Sequence, residues 1–186
     1  MTYFAHLPSL NTEPYTKYFL DTFMPKHDFN VKHERTYIQY FRKEFYNDPV
    51  IMVLDQILQR KFNFPPIDYF SIFKHDRPQS IHHDGLQIPR YASLNLPLSG
   101  FESTKMIFYK VIINTIPNVN DANYYLPETL EPAVELGGSN QWVLVDSSIP
   151  HNITNVDFNN PRCTLCLRFM SNPTIDQLLS NINSSV

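Results

Sequence analysis

Apolar and polar positions follow two different periods along this chain, and the change falls near Pro65-Pro66. Before it, the spacing reads mainly as helix. Thr16 to Phe23 is a short helical stretch bracketed by Pro14 and Pro25. Glu34 to Tyr46 carries Tyr37, Tyr40, Phe41 and Phe45 at spacings that predict an amphipathic helix. Pro49 suits the first turn of a third helix, whose apolar positions are Val50, Ile51, Val53, Leu54, Ile57 and Leu58.

From Pro66 onward the period shortens to that of strands. Ile67 to Lys74 is dense in β-branched and aromatic residues, and Ser80 to Asp84 follows a charged turn at Asp76-Arg77-Pro78. Tyr91 to Leu98 and Lys105 to Ile113 are two further strands, separated by Ser99-Gly100 and a short loop. Asn114 to Glu135 reads as an irregular insertion, rich in Asn, Asp, Glu and Pro. Gly137-Gly138 forms a turn into a strand over Gln141 to Asp146, and Pro161 to Phe169 is the last strand before a closing helix over Pro173 to Ile182. Helices followed by many short strands predict a mainly β fold with flanking helices, a small sandwich or barrel. The expected organisation is one domain over 1–186: a helical buttress over 1–65, a β-core over 66–170 and a C-terminal helix over 171–186.

Composition narrows this picture. With 186 residues and 42% hydrophobic content, the chain can bury one sizeable core. Fourteen Phe, eleven Tyr and fifteen Pro against four Gly fit a strand-rich body with rigid connections. The net charge is −3 and Lys and Arg do not cluster, so the footprint of a general nucleic-acid binder is missing. That leaves room only for a specific, weakly charged contact. Met1 to Leu10 lacks a basic region followed by an apolar run, and no apolar stretch approaches membrane length. Cys163 and Cys166 fall three apart in one strand, on opposite faces, which argues against a disulfide or a CxxC zinc site. An intracellular, cytoplasmic location is the resulting expectation. Asn152-Ile153-Thr154 matches a glycosylation acceptor, a pattern common by chance.

The candidate chemistry lies on the strands. His82 and Asp84 are two apart and share one face, with His83 on the other, and His151 follows a Ser-Ser-Ile-Pro turn in another strand. Two imidazoles and a carboxylate are the ligand set of open non-haem iron sites. In the last strand, alternation puts Arg162, Thr164, Cys166 and Arg168 on one face and Cys163, Leu165, Leu167 and Phe169 on the other. Two arginines facing into a barrel need an anion to pair with, and a dicarboxylate held by an Arg fork and the Thr164 hydroxyl meets that need. Each piece also has a plainer reading. A strand histidine is often a hydrogen-bonded bystander, and both arginines fit a solvent-exposed face equally well.

In order, His82-x-Asp84, His151 and Arg162-x-Thr164 resemble the signature of the Fe(II)/2-oxoglutarate-dependent dioxygenase superfamily, H-x-D/E, H, R-x-S/T. The resemblance covers about Ile67 to Phe169, with sixty-six residues between Asp84 and His151 and Arg162 eleven beyond His151. Tyr91 to Leu98 and Met106 to Tyr109 are similar to core strands of small bacterial and phage members. The resemblance implies a double-stranded β-helix of the jelly-roll or cupin-like kind. It implies Fe(II) held by His82, Asp84 and His151, and 2-oxoglutarate chelating the metal with its far carboxylate on Arg162 and Thr164. Co-substrate decarboxylation to succinate and CO₂ would then accompany hydroxylation of the substrate.

Arg168 is the second choice as anchor, and Ser93 and Asn95, sharing a face with Tyr91, are candidates to touch co-substrate or substrate. Selectivity is expected in the Asn114–Glu135 insertion and the N-terminal third. There Tyr124-Tyr125, flanked by Asp121 and Glu128, either line a lid or fasten the loop to the barrel. A protein side chain (prolyl, aspartyl or asparaginyl) and a small metabolite both fit as substrate; the lack of a basic patch disfavours nucleic acid. Two alternatives stay open: a non-catalytic β-sandwich binding or virion structural protein, and a cupin-type metalloenzyme without 2-oxoglutarate, with Arg162 paired to a protein carboxylate.

Overall fold

The structure is a computed structural model that describes residues 1–27, 30–32, 35–45, 47–84, 91–113, 118–119 and 123–184. In chain order the strands are β1 (Phe4–His6), β2 (Asn30–Lys32), β3 (Arg35–Phe41), β4 (Ile67–His75), β5 (His82–His83), β6 (Ala92–Ser99), β7 (Lys105–Val111), β8 (Asn118–Val119), β9 (Asn123–Tyr124), β10 (Leu130–Gly137), β11 (Val143–Asp146), β12 (His151–Thr154) and β13 (Arg162–Phe169). The helices are α1 (Glu13–Lys17), which runs on into a π-helical stretch over Tyr18–Phe23, α2 (Arg42–Phe45), α3 (Pro49–Phe62) and α4 (Ile175–Ser184).

Two sheets form the body. The first has the order β1-β11-β6-β13-β4-β3-β2 and the second β10-β7-β12-β5-β9-β8. From β4 the chain steps to β5, β6 and β7 in alternate sheets, then returns through β10, β11, β12 and β13. This winding is a double-stranded β-helix. Every residue of β13 is buried, because the strand is covered on both faces. Cys163, Leu165, Leu167 and Phe169 join a core with Phe19, Leu54, Leu58 and Phe62 from the helices. Arg162, Thr164, Cys166 and Arg168 face the space between the sheets. There a smaller core of Met106, Phe108, Val143, Val145, Ile149 and Ile153 fills only part of the gap.

α3 forms where the sequence places it. Asp48 caps it by accepting hydrogen bonds from Val50 N (3.0 Å) and Ile51 N (3.1 Å), Pro49 opens it, and Asn63 ends it in a left-handed conformation at φ 52°. Two expectations need correction. The predicted helix over Glu34–Tyr46 is instead β3 followed by the single turn α2, with Glu34 and Tyr46 outside the described residues. Its aromatic spacing serves cross-strand contacts: Tyr37 pairs with Phe73 and Phe41 with Tyr69. The N-terminal third therefore contributes strands as well as helices. Secondly, the Asn114–Glu135 stretch is not wholly irregular, since β10 begins at Leu130 and pairs along the whole of β7. Asn152 of the glycosylation-like triplet is 8% exposed and hydrogen-bonded to Tyr109 and Gln79, so the folded chain offers no acceptor there. Both cysteines are buried thiols outside any disulfide, and among the described residues no helix is long and apolar enough to cross a membrane.

Candidate metal and anion site

His82 in β5 and His151 in β12 are direct cross-strand partners. The pairing sets their rings 4.8 Å apart between centroids. Asp84 follows β5, fixed by its backbone N–H donating to Ser147 O at 2.9 Å. One ligand atom from each of His82, Asp84 and His151 lies within 4.8 Å of the others. His83 points away and bonds through Nδ1 to the Tyr125 hydroxyl at 2.8 Å, as strand alternation requires.

The imidazole tautomers are set by the backbone. Nδ1 of His82 donates to Ser80 O at 2.9 Å, and Nδ1 of His151 donates to Ile149 O at 2.8 Å. A carbonyl only accepts, so in its neutral form either ring would carry its proton on Nδ1 and leave the Nε2 lone pair free. Nε2 of His82 faces Asp84 Oδ1 at 3.7 Å. Burial, and next the charge of His82, push His151 down to about 4. It is therefore neutral at physiological pH, the form a metal requires. The donor set, the tautomers and the burial all fit a divalent transition metal.

Arg168, the sequence's second choice as anion anchor, is engaged elsewhere. It donates to Asp84 Oδ2, to Ser147 Oγ at 2.6 Å and to Ala92 O at 3.4 Å. One carboxylate oxygen of Asp84 is thus tied to Arg168 while the other faces His82. Nothing in the local sequence pattern joins residues 84 and 168, and this clamp was not foreseen.

Arg162 stands in a different environment. It is 4% exposed, and burial alone lowers its guanidinium to about 10. Nε donates to Thr164 Oγ1 at 3.0 Å and Nη1 to Thr104 Oγ1 at 3.2 Å. Neither acceptor is charged, and among the described residues no carboxylate pairs with Arg162. Nη2 finds no protein acceptor there either. A buried guanidinium left this way is expensive unless an anion completes it. The solvent-exposed alternative for this face does not hold. Thr104 was also missed, since it carries no motif of its own.

Both groups line one cavity between the sheets. His82, Asp84, His151, Arg162, Thr164, Arg168, Ser93 and Asn95 all face it, with Phe73, Met106, Val145 and Ile153 as apolar wall. Tyr91 is 36% exposed and is not among the lining residues. Tyr124 packs 6.1 Å from the His82 ring, and Tyr125 bonds to His83, so this pair fastens its segment onto β5. Asp121 lies outside the described residues.

No family model matches the chain, and no curated protein does either. Among solved structures, the chain is similar to the non-haem alpha-ketoglutarate-dependent carbocyclase SnoK from nogalamycin biosynthesis. That match has a TM-score of 0.58 and 12% identity, and covers 88% of this chain and 78% of that one. It is also similar to HygX from Streptomyces hygroscopicus, solved with nickel and 2-oxoglutarate bound, with a TM-score of 0.53, 11% identity, and coverage of 91% and 84%. A looser likeness, to vicilin from Corylus avellana at TM-score 0.41 and 8% identity, covers 77% of this chain but only 31% of that one. The chain thus shares the double-stranded β-helix fold of iron- and 2-oxoglutarate-dependent enzymes, at sequence identities that speak for the fold alone.

Proposed function

We propose that this protein is an Fe(II)- and 2-oxoglutarate-dependent oxygenase that hydroxylates a small molecule or a protein side chain. The observation that carries this reading is the pairing, in one cavity, of a His-Asp-His cluster with a buried arginine lacking any carboxylate partner among the described residues. A metal site alone would fit a cupin-type enzyme. Arg162, bonded only to neutral hydroxyls among the described residues, adds the demand for an anion.

In this reading His82 and His151, each through Nε2, and Asp84, through a carboxylate oxygen, would hold the metal. When bound, Fe(II) and 2-oxoglutarate supply O₂ activation coupled to decarboxylation of the co-substrate. The chain's own residues do the rest. Arg162 takes the far carboxylate of 2-oxoglutarate in a charge-assisted hydrogen bond. Thr164, whose oxygen already accepts from Arg162 Nε, turns its hydroxyl hydrogen toward the same group. Arg168 fixes the orientation of Asp84. Phe73, Met106, Val145 and Ile153 keep the reacting volume apolar.

The test is anaerobic addition of Fe(II) and 2-oxoglutarate to the protein. A weak visible charge-transfer band, followed on admitting air by succinate formation, is the expected result. Folded protein that binds metal but shows neither band nor succinate would sink the reading and leave the cupin-type alternative. SnoK, a carbocyclase, marks the other point to check: hydroxylation requires product heavier than substrate by one oxygen atom.

A further inference from the structure

Asn95 is among the polar side chains of the cavity that remain once the metal ligands and the two arginines have been assigned. Asn95 is 7% exposed and lines the cavity. Its strand neighbours Leu94 and Leu96 point the other way, into the core under the helices. The Asn95 Oδ1 is buried with no hydrogen-bond partner. Folded proteins keep few such groups, because each gives up its hydration for nothing in return. A leucine or valine here would suit the fold better, so the carboxamide points to a ligand.

Its place in the sheet says which one. β6 lies beside β13, and Asn95 sits in register with Cys166. Along β13, Cys166 falls between Thr164, which Arg162 touches, and Arg168, which holds Asp84. A dicarboxylate reaching from Arg162 toward the candidate metal ligands would run along this stretch, in the cavity that Asn95 also lines. We propose that Asn95 is a further protein contact of the dicarboxylate co-substrate, donating from Nδ2 to one of its oxygens. A half-turn about χ2 exchanges the amide oxygen and nitrogen at little cost where the oxygen has no partner to lose. The neutral amide also adds no charge beside the dianion, whereas an aspartate would repel it. The inference rests on the oxygenase reading above.

The experiment uses the whole chain loaded anaerobically with Fe(II), and measures the 2-oxoglutarate dissociation constant by calorimetry and the melting temperature without 2-oxoglutarate. Asn95→Ala should weaken 2-oxoglutarate about tenfold or more, the range of a hydrogen bond to a charged group. Asn95→Asp, nearly the same shape, should weaken it further. Neither variant should lose iron affinity, and Asn95→Ala should melt no lower than wild type, since the carboxamide oxygen bonds to nothing in the protein. A lower melting temperature with unchanged 2-oxoglutarate affinity would assign Asn95 a structural role and overturn the proposal. Unchanged affinity in both variants, beside a loss in Arg162→Ala, would overturn it as well while leaving the oxygenase reading intact. Wild-type protein that binds iron but no 2-oxoglutarate would overturn both.

Discussion

Arg168 is ion-paired to Oδ2 of Asp84, so the carboxylate of the candidate metal cluster is oriented by a residue from the last strand of the other sheet. Ser147 completes the arrangement: its Oγ accepts from Arg168 and its backbone oxygen accepts from Asp84 N. The His-Asp-His cluster is therefore tied together across the cavity by protein contacts alone. Arg168→Ala should lower metal affinity about 10–100-fold, the usual cost of losing an outer-shell partner. It should also lower stability toward the low end of about 3–5 kcal/mol, because Asp84 keeps some solvent contact. Metal titration and urea unfolding of the same variant check both effects. Unaltered metal affinity would show that Asp84 needs no clamp.

Arg162 should behave differently, because its cost is carried by the ligand-free protein. Arg162→Met removes a buried charge that has no carboxylate partner among the described residues and leaves the apolar volume largely filled. The variant should bind metal as wild type does, lose most 2-oxoglutarate affinity, and melt at or above the wild-type temperature without ligand. Conversely, 2-oxoglutarate should raise the melting temperature of the wild type and not of the variant. Thermal shift with and without the co-substrate is the check. An equal rise in both proteins would place the anion elsewhere.

The sequence made β13 legible because its period of two is complete: four apolar positions alternate with Arg162, Thr164, Cys166 and Arg168, and of the two readings open for the polar set the structure takes the one that faces it into the cavity. His82 and Asp84 were readable for the same local reason. β3 was not, since Tyr37, Tyr40, Phe41 and Phe45 fit a helical face as well as a strand, and only pairing with β4 decides between them. β10 escaped because it is a sheet-edge strand with most positions exposed or half-buried, so no apolar alternation marks it. The Arg168–Asp84 clamp and the Thr104 contact to Arg162 join residues far apart in the chain. Local pattern carries no information on such contacts.

The metal-free protein should lose stability in acid through His151. Burial first, and then the nearby His82, hold its ring at about 4 in the folded state, against about 6.5 for an unfolded histidine. Between those values the unfolded chain binds a proton that the folded protein refuses. The contribution is therefore fully present above pH 6.5 and is lost as pH falls toward 4, up to about 3 kcal/mol. Asp146 acts in the opposite sense, because burial raises its carboxyl, so the absolute slope mixes several groups. The clean readout is the difference between wild type and His151→Gln in urea unfolding at pH 7 and pH 4.5. The variant should lose less stability over that interval, and parallel losses would mean that His151 titrates normally.

Asp55 links the helical layer to the first long strand of the β-helix, and the strength of that link can be measured apart from the metal site. It is 1% exposed. Its Oδ1 accepts from Ile67 N at 2.8 Å, and its Oδ2 pairs with Arg42 at 2.9 Å. Arg42 in turn donates to Ile67 O at 2.8 Å. One residue of α3 and one of α2 thus satisfy both backbone groups of the residue that starts β4. Asp55→Ala would strand the Ile67 N–H and leave Arg42 without its carboxylate, so it should cost about 3–5 kcal/mol in urea unfolding. Asp55→Asn keeps an acceptor for Ile67 and should cost less. In both variants the fraction that remains folded should bind metal normally, because Asp55 is not among the residues that line the cavity. Equal stability of Asp55→Ala and wild type would mean that the apolar contacts of α3 alone dock it to the sheet.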